Sequence, residues 1–202
     1  SNWQYANVVP TLTWRSAMTL PRELSLYLSQ DSVFRIRSKN MISTKESIIK
    51  KVEKEKTTLE NTTLLLNQGV LDLTKAKIEF ELNNMEEVIY TFIVSNKKGD
   101  SLAFGYDHKQ KQFFIDRSNS GEVKFSNNFG SKPTIAPRFK KEDNLKINLI
   151  LDKTSIELFF DEGETVMTEI FFPNEPFQSL SLETLAKKTS LRNLKFQEIK
   201  IN

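Results

Sequence analysis

The stretch Lys77-Ile78-Glu79-Phe80-Glu81-Leu82 alternates three charged side chains with three apolar ones. A period of two places Ile78, Phe80 and Leu82 on one face of a strand and the charges on the other, as in a sheet with one wet face. Further along, Val88–Ser95 is β-branched and aromatic, and turn signals stand at Asn96–Asp100, Asp107–Lys111 and Ser118–Gly121. Leu145–Leu151 and Ser155–Phe160 pair naturally across Asp152-Lys153-Thr154. Asp161-Glu162-Gly163-Glu164 reads as a glycine-containing hairpin leading into Thr165–Phe172, and Leu191–Ile201 is the last strand. About ten short strands, spaced by tight turns without intervening helices, predict an all-β sandwich of two antiparallel sheets over residues 57–202. No period repeats along them, which excludes a repeat array.

Two stretches of different character come first. Residues 3–38 are aromatic and punctuated by proline, and they hold both tryptophans, Trp3 and Trp14. Leu24–Leu28 and Val33–Arg37 read as strands joined by the turn Ser29-Gln30-Asp31-Ser32. A connector then runs to Lys56. Ser43-Thr44-Lys45-Glu46 matches a capping box, and Ile48, Ile49 and Val52 fit one stripe of a short helix. A helix this short needs something to dock on, and a plain extended linker is the competing reading.

Composition narrows the class. A chain of 202 residues with 38% hydrophobic residues and 15 Phe can bury a core without disulfides or metal, and it has no Cys. The 29 Lys and Arg face 26 acids and mostly alternate with them, which argues for a solvated surface and against nucleic acid. No apolar stretch approaches the ~20 residues that span a bilayer.

The side chains offer little complete chemistry. His108 is the single histidine, in the turn Asp107-His108-Lys109, where exposure is expected and a nucleophile with an orienting third group is missing. Zinc needs three or four imidazole or thiolate ligands, so no metal site is expected. Asp152, Glu157, Asp161, Glu162 and Glu164 cluster near one hairpin, but turn and polar-face positions suggest solvated charges. Trp3 and Tyr5, two residues apart, would share a strand face. They could offer a stacking platform to a sugar or belong to the core, and both readings stand.

Trp3-Gln4-Tyr5-Ala6-Asn7, Pro10-Thr11 and the run Trp14-Arg15-Ser16-Ala17-Met18-Thr19-Leu20-Pro21-Arg22-Glu23-Leu24 resemble glycoside hydrolase family 32, and within it the levanases and exo-inulinases. Gly105-Tyr106-Asp107, Phe114-Ile115-Asp116-Arg117-Ser118, Ala136-Pro137, Asp152 through Phe159 and Thr168 through Pro173 follow in the order of that family's C-terminal module. The resemblance implies a lectin-like C-terminal β-sandwich preceded by the last strands of a five-bladed β-propeller. Residues 1–38 would close the propeller, 39–56 connect, and 57–202 form the sandwich. It further implies a secreted or periplasmic enzyme that hydrolyses β-fructosidic bonds of levan, inulin or sucrose with retention, without a cofactor. The family's catalytic Asp, Asp and Glu motifs do not occur here, so the expected role is structural, with the missing propeller as partner and no catalytic residue in this chain. A fructan-binding module is the alternative, and a self-sufficient hydrolase built on the hairpin acids a third reading. By the same resemblance Trp3 and Tyr5 would line the fructose pocket. Trp14, Arg15, Arg22 and Glu23 would be structural, with a buried ion pair tying the blade together.

Overall fold

The computed structural model describes residues 5–41 and 48–200. A hairpin comes first, β1 (Arg22–Leu28) with β2 (Phe34–Asn40). The strands β3 (Ile48–Thr58), β4 (Thr62–Leu66), β5 (Lys75–Asn83), β6 (Ile89–Ser95), β7 (Ser101–Asp107) and β8 (Gln112–Asp116) follow. Then come β9 (Thr134–Pro137), β10 (Leu145–Asp152), β11 (Ser155–Phe160), β12 (Thr165–Ile170), β13 (Ser179–Thr184) and β14 (Ser190–Ile199). β3 to β14 form two six-stranded antiparallel sheets, in the orders β12-β11-β10-β5-β14-β3 and β4-β13-β6-β7-β8-β9. The sandwich expected from the alternating pattern is therefore the fold.

The alternation works as the sequence suggests. Ile78, Phe80 and Leu82 are buried, and Lys77, Glu79 and Glu81 point to the other face of the sheet. The two inner faces meet through aromatic rings. Phe80 of the first sheet lies 4.6 Å from Phe92 of the second, and Phe113 stacks on Phe160 at 3.9 Å with planes 6° apart. Aromatic pairs in such geometries contribute about 0.5–1.5 kcal/mol beyond their buried area. The buried Tyr90 hydroxyl has partners, Thr189 Oγ1 at 2.7 Å and the Glu86 amide that donates to it at 2.7 Å. A phenol at this depth without partners would be costly.

Three expectations need correction. The stretch from Ile48 is neither helix nor linker but the eleven-residue edge strand β3, paired along its length with β14. Only Ile48, Val52 and Thr57 of β3 are half-buried, because an edge strand shields little of itself, and the four-residue gap from Ile48 to Val52 mimics a helical stripe. Its run of Lys and Glu suits an exposed edge, where charge discourages further pairing. The capping-box residues 43–46 lie outside the described residues. The second correction concerns His108, whose side chain is only 13% exposed, 3.6 Å from Asp143 and edge-on to Tyr106. The third concerns the hairpin acids, most of which are buried.

Candidate functional site

The five acids around the β11–β12 turn divide into two sets. Asp152 and Glu162 are exposed, and Glu162 pairs with Lys146 at 3.1 Å, which lowers its pKa. Glu157, Asp161 and Glu164 are withdrawn from water, each against an arginine distant in sequence. Arg138 grips Asp161 with Nε at 2.7 Å and Nη2 at 3.1 Å, and both side chains are almost fully buried. Burial lowers the Arg138 pKa, but the Asp161 carboxylate outweighs it and the net shift is upward. With their oxygens committed to guanidinium groups, these acids are not arranged as an acid and a nucleophile flanking a cleft. Among the described residues no group of three or more His, Cys, Asp or Glu could hold a metal ion.

The other two buried acids fasten the hairpin. Arg22 Nη2 donates to Glu157 Oε2 at 2.5 Å and to Thr168 Oγ1 at 2.9 Å, with the guanidinium 5.3 Å from the centre of the Phe159 ring. The Leu20 amide donates to the other Glu157 oxygen at 2.8 Å. Arg37 Nη2 reaches Glu164 Oε1 at 2.7 Å and lies over the Tyr27 ring at 4.7 Å. Burial first, then the Glu164 carboxylate, push the Tyr27 phenol up. Arg35 covers Phe139 at 3.9 Å, and the Lys141 amide donates to Gln30 Oε1 at 2.8 Å. Gly163 completes the seam. It sits at φ +92°, and a Cβ there would collide with the Ser38 carbonyl oxygen, so glycine is needed both for conformation and for approach.

The faces of the hairpin differ. Tyr27, Arg35 and Arg37 share the half-buried one. The other pairs Leu26 with Ile36 and Leu28 with Phe34, beside Leu24, and all five of these apolar side chains are 59–69% exposed.

Of the site residues suggested by the sequence, Trp3 lies outside the described residues. Tyr5 is 6% exposed in a second apolar cluster with Val9, Phe129 and Phe172. Its ring meets Phe129 edge-on at 5.2 Å, and Arg117 Nη2 donates to its hydroxyl at 3.1 Å. Arg117 also bonds Glu169 at 2.6 Å and lies 3.9 Å from the centre of the Phe129 ring. Trp14 is 40% exposed, and its carbonyl accepts from Thr11 Oγ1 at 2.6 Å. Arg15 is exposed and bonds Thr11 Oγ1 at 2.7 Å, while Glu23 is exposed on β1. The ion pair expected within the first 38 residues is instead one between Arg22 and the sandwich. Arg37 with Glu164 and Arg22 with Glu157, 127 and 135 residues apart, leave no spacing signal in the sequence, and Arg138 with Asp161, 23 apart, leaves none either.

Residues 35–201 match the family described as glycosyl hydrolases family 32 C terminal. The chain is 28% identical over 201 residues to a levanase of Bacillus subtilis, covering 99% of this chain and 30% of the relative. It is 36% identical over 197 residues to an invertase of Debaryomyces hansenii, covering 87% of this chain and 36% of the relative. The chain thus spans about a third of the length of these relatives. The structure of a fructofuranosidase from Schwanniomyces occidentalis complexed with fructose superposes with a TM-score of 0.79 at 23% identity, over 100% of this chain and 44% of that one, a likeness of fold.

Proposed function

The chain belongs to glycosyl hydrolase family 32, whose C-terminal domain it carries, and from that premise we propose that it is the non-catalytic structural module of a retaining fructosidase. Its task is to hold an N-terminal catalytic propeller in register, with residues 1–38 as the closing strands of that propeller. The propeller cleaves β-fructosidic bonds of levan, inulin or sucrose. One observation carries this reading. Leu24, Leu26, Leu28, Phe34 and Ile36 form an exposed apolar sheet face, while Arg37 on the opposite face and Arg22 at the start of β1 fasten the hairpin to the sandwich. Contiguous exposed apolar surface of this kind marks a contact surface, and the proposal assigns its cover to strands of the propeller. The same reading places the protein outside the cell or in the periplasm, which fractionation of source cells checks. Among the described residues no helix is long and apolar enough to cross a membrane.

A sensitive fructose-release assay on sucrose, levan and inulin tests the assignment. The chain alone is expected to give no turnover. Sugar liberated by the purified chain, and lost in Glu157→Gln or Asp161→Asn, overturns the proposal.

A further inference from the structure

Two consecutive residues of β12 receive arginines from different parts of the chain. Thr168 Oγ1 accepts from Arg22 of the hairpin at 2.9 Å, and Glu169 pairs with Arg117, just after β8, at 2.6 Å. The same Arg117 donates to the Tyr5 hydroxyl at 3.1 Å. We propose that Arg117 is a positioning residue: acting through Tyr5, it latches the chain ahead of β1 to the sandwich and so sets the placement of the catalytic propeller. The catalytic half of this proposal rests on the functional reading above; the latch itself does not.

The receptor for Tyr5 is held by contacts within the sandwich. Gly121 stands at φ +106°, and a Cβ there would collide with the Phe172 carbonyl oxygen. The Glu122 amide donates to that same oxygen at 2.8 Å. Ser120, fully buried, donates through Oγ to the Arg117 carbonyl at 2.8 Å. These contacts draw the segment after Arg117 against Phe172, one wall of the cluster that receives the Tyr5 ring. Thr134 Oγ1 donates to the Glu169 oxygen that Arg117 leaves free, at 2.6 Å, so the carboxylate is fixed independently of Tyr5.

The chemistry asks for these two residue types. Arg117 Nη1 bonds the Glu169 carboxylate at 2.6 Å and the Ile170 carbonyl at 3.1 Å, which leaves Nη2 for the phenol. A planar fork serves three acceptors at fixed angles, and a lysine ammonium does not reproduce that geometry. The Arg117 side chain is only 10% exposed, so an N–H left without an acceptor is costly there. A tyrosine satisfies it, and a phenylalanine of the same shape does not. Four residues in extended form span at most ~14 Å, so a domain joined ahead of Ser1 starts within that reach of the latch. One anchor would leave such a domain free to swing. Arg117 and Arg22, meeting on adjacent residues of one strand, give it two.

The test has two arms. In the 202-residue chain the reporter is the Val8 amide, which donates to the Tyr5 carbonyl at 3.0 Å. Its hydrogen exchange should quicken at least about tenfold in Tyr5→Phe and in Arg117→Lys, while β5 and β10 keep their protection. Because Arg117 acts through Tyr5, the double variant should exchange no faster than the faster single one. Additive effects, or an unchanged Val8, overturn the latch. Tyr5→Phe leaves every sandwich side chain in place, so this arm stands even where Arg117→Lys loosens the sandwich itself. In the enzyme that carries this module behind its propeller, both variants should lower kcat for fructose release at least about threefold, assayed well below each unfolding midpoint. An unchanged kcat, or a loss that only follows the unfolded fraction, overturns the positioning role. If the unaltered enzyme releases no fructose while Val8 responds as expected, the functional reading and the catalytic half fall together and the latch stands.

Discussion

Arg22 on β1 and Glu157 on β11 stand 135 residues apart in sequence and 2.5 Å apart in space. Glu157 also holds the Leu20 amide, so one carboxylate fixes both the strand and the chain leading into it. Arg22 is 21% exposed and Glu157 8%, so the pair is neither fully wet nor fully buried. Removing one partner leaves the other poorly solvated. Arg22→Ala is expected to cost about 1–3 kcal/mol. It should speed hydrogen exchange in β1 and β2 while β5 and β10 keep their protection. Uniform loss of protection would show that the hairpin is not fastened separately.

Gly163 offers a second handle on the same seam. Gly163→Ala combines a left-handed backbone with a collision against Ser38, so it should cost more than about 1 kcal/mol. Thermal unfolding measures the loss, and proteolysis between residues 29 and 33 should rise with it. A variant as stable as the parent would contradict the close approach.

The apolar hairpin face predicts an opposite outcome. Leu26 is 69% exposed and Ile36 62%. Leu26→Lys and Ile36→Thr should therefore change stability by no more than about 0.5 kcal/mol. They should raise the solubility limit of the chain, read by light scattering at increasing concentration. Destabilisation of several kcal/mol would mean that the face is covered.

The interior should respond strongly. Phe113 and Phe160, stacked at 3.9 Å from opposite sheets, are both fully buried. Phe160→Ala removes one ring of that stack and leaves Phe113 facing a void, and ~3–5 kcal/mol of stability should go with it, measured by denaturant unfolding.

The turn between β1 and β2 carries an acid switch of small amplitude. Hydrogen bonds from Arg35 first, then Ser29, lower the Asp31 pKa from 3.8 to about 2. A depressed carboxylate pKa means the turn's contribution is complete above pH 3.8 and fades as pH falls toward 2. Carboxylate chemical shifts should show a midpoint near 2 for Asp31, and Arg35→Gln should raise it toward the ordinary range, the Ser29 hydrogen bond remaining. An unchanged midpoint in that variant would remove Arg35 as the cause.

Sequence alone reveals strands where both faces carry information. β5 alternates cleanly, and β10 and β11 announce their hairpin through Asp152-Lys153-Thr154. β3 escapes because an edge strand half-buries only three of its residues. The buried acids escape for another reason. Composition shows Glu157, Asp161 and Glu164 as charges near a turn, and only the folded chain brings Arg22, Arg138 and Arg37 to them. Tyr5 and Arg117 stand 112 residues apart, and their bond exists only through the fold.

Tyr5 fills a cluster completed by Phe129 and Phe172 and is bonded to Arg117, which in turn holds Glu169. The consequence concerns portability. A recombination event that exchanged only the strands from β3 onward would strip this tyrosine from its nest and leave Arg117 with Glu169 but without its phenol partner. The unit that can be transplanted between enzymes therefore includes the leader, and grafts cut at the apparent boundary should arrive with a hole in their flank.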